Sequence, residues 1–371
     1  MFDRLVKTAT AGLAVTAVAV AGCGGGSGDS SGSASAAKTD VAAAKAAIAQ
    51  YTGKPTAFPV DRPLARKPSG KTFAYLQCST PVCALFAQIA APTQKLLGYR
   101  LNVVKAGPSA NEAQTAMDSI VSLKPAGVVL PAADPNQFLR QMQQLHQAKT
   151  PVSANGVVDP QKYGIGSDFI DNRTDTLAGK LLADWAVSHG GGEVAFYGVP
   201  ELSFTPIIRA GFDREMAAVC PSCTVRHVDI PAGAIGKNAP SLVVSDLQSH
   251  PNTKTAAFAT AESGTGLPAA LQAAQRKVQL VGWGPTPAIL GYIKQGQWDA
   301  GIGVDGFTML WAQIDALARM ATGQPVTAGE KSGLPPIQVL TRSDITFDPT
   351  QGWKAYPDFA QRFAKLWGAA Q

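Results

Sequence analysis

The run 71–155, KTFAYLQCSTPVCALFAQIAAPTQKLLGYRLNVVKAGPSANEAQTAMDSIVSLKPAGVVLPAADPNQFLRQMQQLHQAKTPVSAN, decides the fold. Short apolar runs alternate in it with longer amphipathic ones. TFAYLQ (72–77), RLNVVKA (100–106), AGVVLPA (126–132) and TPVSAN (150–155) read as strands. Between them, 82–98 has helical spacing and stops at Gly98. A second helix, 109–123, opens on Ser109 with Glu112 three residues on, a capping box. A third, 134–149, opens on Asp134 with Pro135 at its first position. The order is βαβαβαβ, which predicts a parallel sheet with helices on both faces.

The pattern then restarts. Segment 162–168 reads as a strand, followed by a helix over 172–189. Further strands are expected at 192–199, 224–230, 255–260, 278–284 and 300–304. Helices are expected at 205–219, 238–249, 264–276 and 286–295. A long helix, 308–322, precedes a last strand, 336–341. The fold class is therefore α/β, with two doubly wound parallel-sheet lobes joined by a hinge. Lobe 1 is expected at 71–166 plus 304–335, lobe 2 at 167–303 plus 336–345. A short helix and extended arm (41–70) come before them, and a helical tail (346–371) after.

Composition bounds the function. The chain has 371 residues, 46% hydrophobic and 16% charged, ample for a core and inconsistent with wholesale disorder. Its net charge of +6 carries no polybasic block, so no nucleic-acid partner is implied. One stretch alone approaches membrane character. Arg4 and Lys7 precede an apolar run from Ala9 to Ala21, short of the ~20 residues that span a bilayer. It fits a secretory signal. The run ends at Val20-Ala21-Gly22-Cys23, which resembles a bacterial lipobox with Cys23 as the lipidated residue. A Gly/Ser tether (23–40) follows, suited to hold a domain off a membrane surface. The mature protein is expected to be extracytoplasmic and lipid-anchored, with net charge +5 once Asp3, Arg4 and Lys7 are removed.

Four cysteines remain, Cys78, Cys83, Cys220 and Cys223. In an oxidising compartment they suggest two disulfides, and local pairing is the simplest of three connectivities. The CPSC motif lies at a helix end rather than a helix start, against a redox role. The two pairs lie far apart with no flanking His, against zinc. Gly301-Ile302-Gly303-Val304-Asp305-Gly306 matches GxGxxG, but its glycines sit inside a strand, which reads as a hinge needing unusual backbone angles. HGGG (189–192) has no GxSxG partner in the chain, so a hydrolase is not indicated. No nucleophile–base constellation is visible, so no enzyme, cofactor or metal is expected.

Seven segments in order, among them KPAGVVLPAADPNQF (124–138), KTPVSANG (149–156), IGSDFIDNRTDTLAGKLLADW (165–185) and VQLVGWGPTPAILGYIKQGQWDAGIGVD (278–305), resemble the sugar-type, ribose-binding-protein group of periplasmic binding proteins. The resemblance spans roughly 71–342. It implies the type I periplasmic-binding-protein fold, a monomer, and a small ligand delivered to an ABC permease and its ATPase. The other use of these lobes is a receptor that signals to a kinase or chemoreceptor. Departures from the group concern its charged sugar anchors. The Asp-Arg pair after the fourth strand is replaced by Ser153-Ala154-Asn155-Gly156, and an Asp after a later strand by Gly284. An Asn-Asp is replaced by Ala261-Glu262, and the sugar-gripping Arg by Thr205-Pro206. Each unpaired buried hydroxyl costs ~1–3 kcal/mol. The ligand is therefore expected to be a sugar or sugar-like compound that is less hydroxylated than a common pentose, or else recognised differently.

Ligands of open α/β sheets bind beyond the carboxyl ends of strands. The expected contacts are Gln77, Ser79 and Thr80 after the first strand, Asp134 after the third and Asn155 after the fourth. Ser203, Phe204, Glu262 and Trp283 would come from the second lobe, and Asp305 from the second crossover. Phe204 and Trp283 could stack on apolar ring faces.

Overall fold

Apolar runs become inner strands buried on both faces, the edge strands Arg100–Lys105 and Thr224–Asp229 stay partly exposed, and two sheets result. The computed structural model describes residues 39–131, 133–332 and 335–369. The expected signal segment, Cys23 and nearly all of the tether lie outside them. The chain enters through α1 (Val41–Ala49), then β1 (Thr72–Gln77), α2 (Pro81–Ala90), α3 (Thr93–Leu97) and β2 (Arg100–Lys105). It continues through α4 (Ala110–Ser122), β3 (Gly127–Pro131), α5 (Leu139–Gln147), β4 (Val152–Asn155) and β5 (Ser167–Asp168). These strands form one parallel sheet in the order β2-β1-β3-β4-β5.

The second sheet takes α6 (Asn172–Ser188), β6 (Glu193–Gly198), α7 (Thr205–Val219), β7 (Thr224–Asp229) and α8 (Ala239–Ser249). Then come β8 (Thr253–Phe258), α9 (Leu267–Ala273), β9 (Gln279–Trp283), α10 (Pro287–Gln295) and β10 (Ala300–Val304). Helices α11 (Gly306–Ala321) and α12 (Ala328–Lys331) precede β11 (Ile337–Leu340), and α13 (Phe359–Leu366) ends the chain. The strand order is β11-β10-β9-β8-β6-β7, parallel except for β11 against β10. Helix α11 leaves this sheet and packs on β3 and β4 of the first. The chain thus crosses between lobes after β5, after β10 and before β11.

Local chemistry explains most element ends. The capping box at Ser109 and Glu112 is formed as expected. The single helix expected over 82–98 is instead two pieces, because Pro92 cannot donate to the helical ladder. By sequence, 162–168 is expected to be one strand and the second lobe to start at 167. Only Ser167–Asp168 is strand, and it pairs with β4 in the first sheet. The first crossover therefore falls after Asp168. The tail, expected to be helical, forms an α-helix at Phe359–Leu366 and a single 3-10 turn at Pro349–Gln351 among its described residues. Gly301 and Gly303 do not have the positive φ expected of a hinge. They are glycines because neighbours come close: a Cβ on Gly303 would lie 2.6 Å from Leu340 and 3.1 Å from Trp353.

Arm and tail bind the lobes from outside. Helix α1 packs on α6, and the Val339 amide donates to the Tyr51 carbonyl at 2.8 Å. The arm beyond it buries Val60 and Leu64 in the core of the first lobe, and the Leu64 amide donates to Leu366. Trp367 stacks on Trp311 of α11 with ring centroids 5.3 Å apart. Both local disulfides are formed, Cys78–Cys83 and Cys220–Cys223, with Cα separations of 5.5 and 5.3 Å. The first joins the end of β1 to the start of α2.

Candidate functional site

A cavity lies where the carboxyl ends of both sheets meet. Its empty space is about 950 Å³, part of it open to solvent. Helix α2 supplies one wall through Val82, Leu85, Phe86 and Ile89, one stripe at helical spacing. Asn155, the last residue of β4, and Ile170 of the first crossover stand beside it. From the other side come Phe204, Thr260 after β8, Trp283 at the end of β9, and Pro285 and Thr286 ahead of α10. Phe307 at the start of α11 and Trp353 of the tail complete it. The wall is mainly apolar and strongly aromatic.

Besides Thr260 and Thr286, two buried polar groups interrupt it. Asn155 is 3% exposed; its amide nitrogen reaches Met309 Sδ at 3.8 Å, and its Oδ1 has no hydrogen-bond partner. Asp175, one turn into α6, is 1% exposed and its Oδ1 is also unpartnered. Burial, reinforced by the charges of Asp168 and Asp171, pushes the Asp175 carboxyl up to about 9. Asp168 is likewise pushed up to about 8, chiefly by burial, and accepts from the Val157 amide at 3.3 Å. Buried polar atoms are normally paired. Two unpaired oxygens on one apolar cavity mark where a ligand's polar atoms fit.

Two hydrogen bonds clasp the lobes beside the cavity. Ser203 Oγ donates to the Gly156 carbonyl at 2.7 Å. Across a smaller adjoining hollow, Glu262 Oε1 accepts from the Val82 amide at 2.7 Å. Thr80, the N-cap of α2, makes no side-chain capping bond of its own. A carboxylate from the opposite lobe does that work, where the positive end of the helix dipole favours negative charge. Burial pushes the Glu262 carboxyl up to about 7.

The residues expected from sequence divide accordingly. Asn155, Phe204 and Trp283 line the cavity; Glu262 lines the adjoining hollow; Ser203 bridges the lobes. Gln77 ends β1 half-buried, and Ser79 is exposed on the disulfide loop. Neither they nor Thr80 line it. Asp134 is away from it, its carboxylate turned onto the Asn136 amide at 2.9 Å. Asp305 is fully buried as the N-cap of α11, accepting from Thr308 Oγ1 at 2.7 Å and the Ala355 amide at 2.9 Å. It therefore ties the second crossover to the tail. The α2 stripe, Asp175, Phe307 and Trp353 were not anticipated. Among the described residues no group of acidic, His and Cys side chains could hold a metal. Nor is any described helix long and apolar enough to cross a membrane.

Two α/β lobes with three crossovers and a cleft between strand ends define the type I periplasmic-binding-protein fold. Residues 84–325 match the periplasmic binding protein domain family, and the chain belongs to that family. The match ends before Trp353. A carbohydrate transporter protein from Acidothermus cellulolyticus 11B, solved with myo-inositol, is 16% identical. That similarity covers 75% of this chain and 96% of that one, with a TM-score of 0.65. A solute-binding protein of Actinobacillus succinogenes 130z, with bound D-allose, is 18% identical over 74% and 99%, TM-score 0.63. The binding protein of the arabinose transporter from Shewanella sp. ANA-3, bound to L-arabinofuranose, is 14% identical over 80% and 97%, TM-score 0.64. At these identities the likeness is one of fold. No curated protein matches in sequence.

Proposed function

We propose that this protein is the solute-binding component of an ABC importer, held outside the cell membrane by a lipid on Cys23. It captures a small solute between its lobes and presents the closed form to a permease and its ATPase. The solute is sugar-sized or sugar-like and carries fewer polar groups than a pentose. The observation that carries this reading is the cavity: it sits at the strand ends of both sheets, mainly apolar, with unpartnered oxygens on Asn155 and Asp175. Neighbours of the same fold were solved with sugars or a cyclic polyol bound. A ligand shifts the lobes toward closure by its differential affinity for the closed form.

The test is a thermal-shift screen across sugars, polyols, nucleosides and small aromatic compounds, with mass spectrometry of solute retained in purification. A true ligand at 100-fold its dissociation constant adds ~2.7 kcal/mol of stability. Trp283→Ala should remove most of that gain. A full screen without a stabilising compound, or a gain that Trp283→Ala leaves intact, would overturn the reading. For the anchor, Cys23→Ser should release the protein from the membrane fraction.

A further inference from the structure

The polar lining of the cavity offers buried oxygens without partners and no basic side chain. Asn155 and Asp175 each present an oxygen without a partner. None of the described lining residues is Lys, Arg or His. Thr260 and Thr286 are the other polar side chains on the wall. A pentose would bring four or more hydroxyls to a wall that is otherwise aromatic and aliphatic. A single group that only donates fits better. We propose that the ligand is a small organic cation: an ammonium group on an apolar or aromatic body. Its N–H groups meet Asn155 Oδ1 and Asp175 Oδ1, and its body lies against Phe86, Phe204 and Trp283. This rests on the reading of the cleft as a solute site.

Three further features agree. The acidic neighbours of Asp175 are Asp168 and Asp171, and Asp168, itself pushed up to about 8, adds its charge only above neutral pH. The nearby Arg173 is spent on Asp171 and on the Ser332 carbonyl. The aromatic wall also suits a cation, since ring faces attract positive charge. The Lys354 ammonium already lies 4.3 Å from the centroid of Phe307, itself a lining residue, while donating to the Gln351 carbonyl. Finally, the free Asp175 carboxyl holds its proton at neutral pH, because burial pushes it up to about 9. An arriving ammonium ion pairs with the carboxylate, so the carboxyl O–H bond breaks and its proton leaves to solvent. Charge balances: one cation enters and one proton is released. A neutral polyol releases none.

The experiment is titration calorimetry at pH 7 in two buffers of different ionisation enthalpy. The probes are phenethylamine, tyramine and cyclohexylamine, each paired with its hydroxyl counterpart: 2-phenylethanol, tyrosol and cyclohexanol. Myo-inositol, D-allose and L-arabinose form a third set. At least one amine should bind ~10-fold or more tightly than its alcohol, equivalent to ~1.4 kcal/mol. That amine should release close to one proton, and Asp175→Asn should abolish both effects. Equal binding of amine and alcohol overturns the inference, as does amine binding without proton release or failure of every amine. If Asp175→Asn does not fold, the paired affinities and proton count in the unaltered protein decide. Binding of the sugars alone removes the cation and leaves the solute-binding reading standing. If no compound of any set binds, the cation inference falls, and the solute-binding reading is decided by the full thermal-shift screen.

Discussion

Replacing Glu262 with Gln should stabilise the protein at pH 8 and leave it unchanged at pH 4.5. The carboxyl is 5% exposed, caps α2 from the opposite lobe, and is pushed by burial from 4.5 to about 7. In an unfolded chain it regains water and its ordinary value. At ~1.36 kcal/mol per pH unit, that gap is about 3 kcal/mol. Because the value is raised in the folded state, folding retains a proton here that the unfolded chain gives up. The contribution is whole below about pH 4.5, declines as pH rises toward 7, and stays lost above. A glutamine keeps an oxygen for the Val82 amide but has no charge to bury. Urea unfolding of both proteins should differ by up to about 3 kcal/mol at pH 8, about 2 at pH 6 and none at pH 4.5. A difference independent of pH, or a less stable variant at pH 8, would refute the linkage between burial of this carboxyl and closure.

Gly179→Ala should part α6 from α7. Its Cβ would lie 2.0 Å from the Ile208 carbonyl oxygen and 2.6 Å from the Phe212 nitrogen, and backbone cannot turn aside. The cost is about 1–3 kcal/mol, read by calorimetry as a melting point several degrees lower. Asp305→Ala should cost about 3 kcal/mol, since it strips four hydrogen bonds, to the Phe307 and Thr308 amides, Thr308 Oγ1 and the Ala355 amide. Hydrogen exchange at Ala355 should quicken more than at Leu97, which lies outside this network.

The sheets were legible because their strands are nearly continuous apolar runs with turn signals between them. Ser167–Asp168 was assigned to the wrong sheet because two residues carry no pattern, and only pairing with β4 decides. At the site, the strand-end rule found Asn155, Phe204 and Trp283. It missed the α2 stripe, because Val82, Leu85, Phe86 and Ile89 at helical spacing read like any core-facing helix. Asp175 gave no signal inside α6, since burial in three dimensions is what makes it unusual. Asp134 failed in the other direction: a short carboxylate at a turn prefers the amide two residues on to anything across a cleft.

The tail has a consequence for how such proteins diversify. Trp353 puts part of the cavity wall on a segment that pairs with neither sheet. Changing that wall leaves the strand pairings alone but reaches the second crossover, because the Ala355 amide two residues on donates to Asp305. Contact with the solute and the joint between the lobes therefore vary together in this segment. Proteins sharing every strand of this fold can then differ in cargo through their final residues, where comparison of the lobes alone does not look.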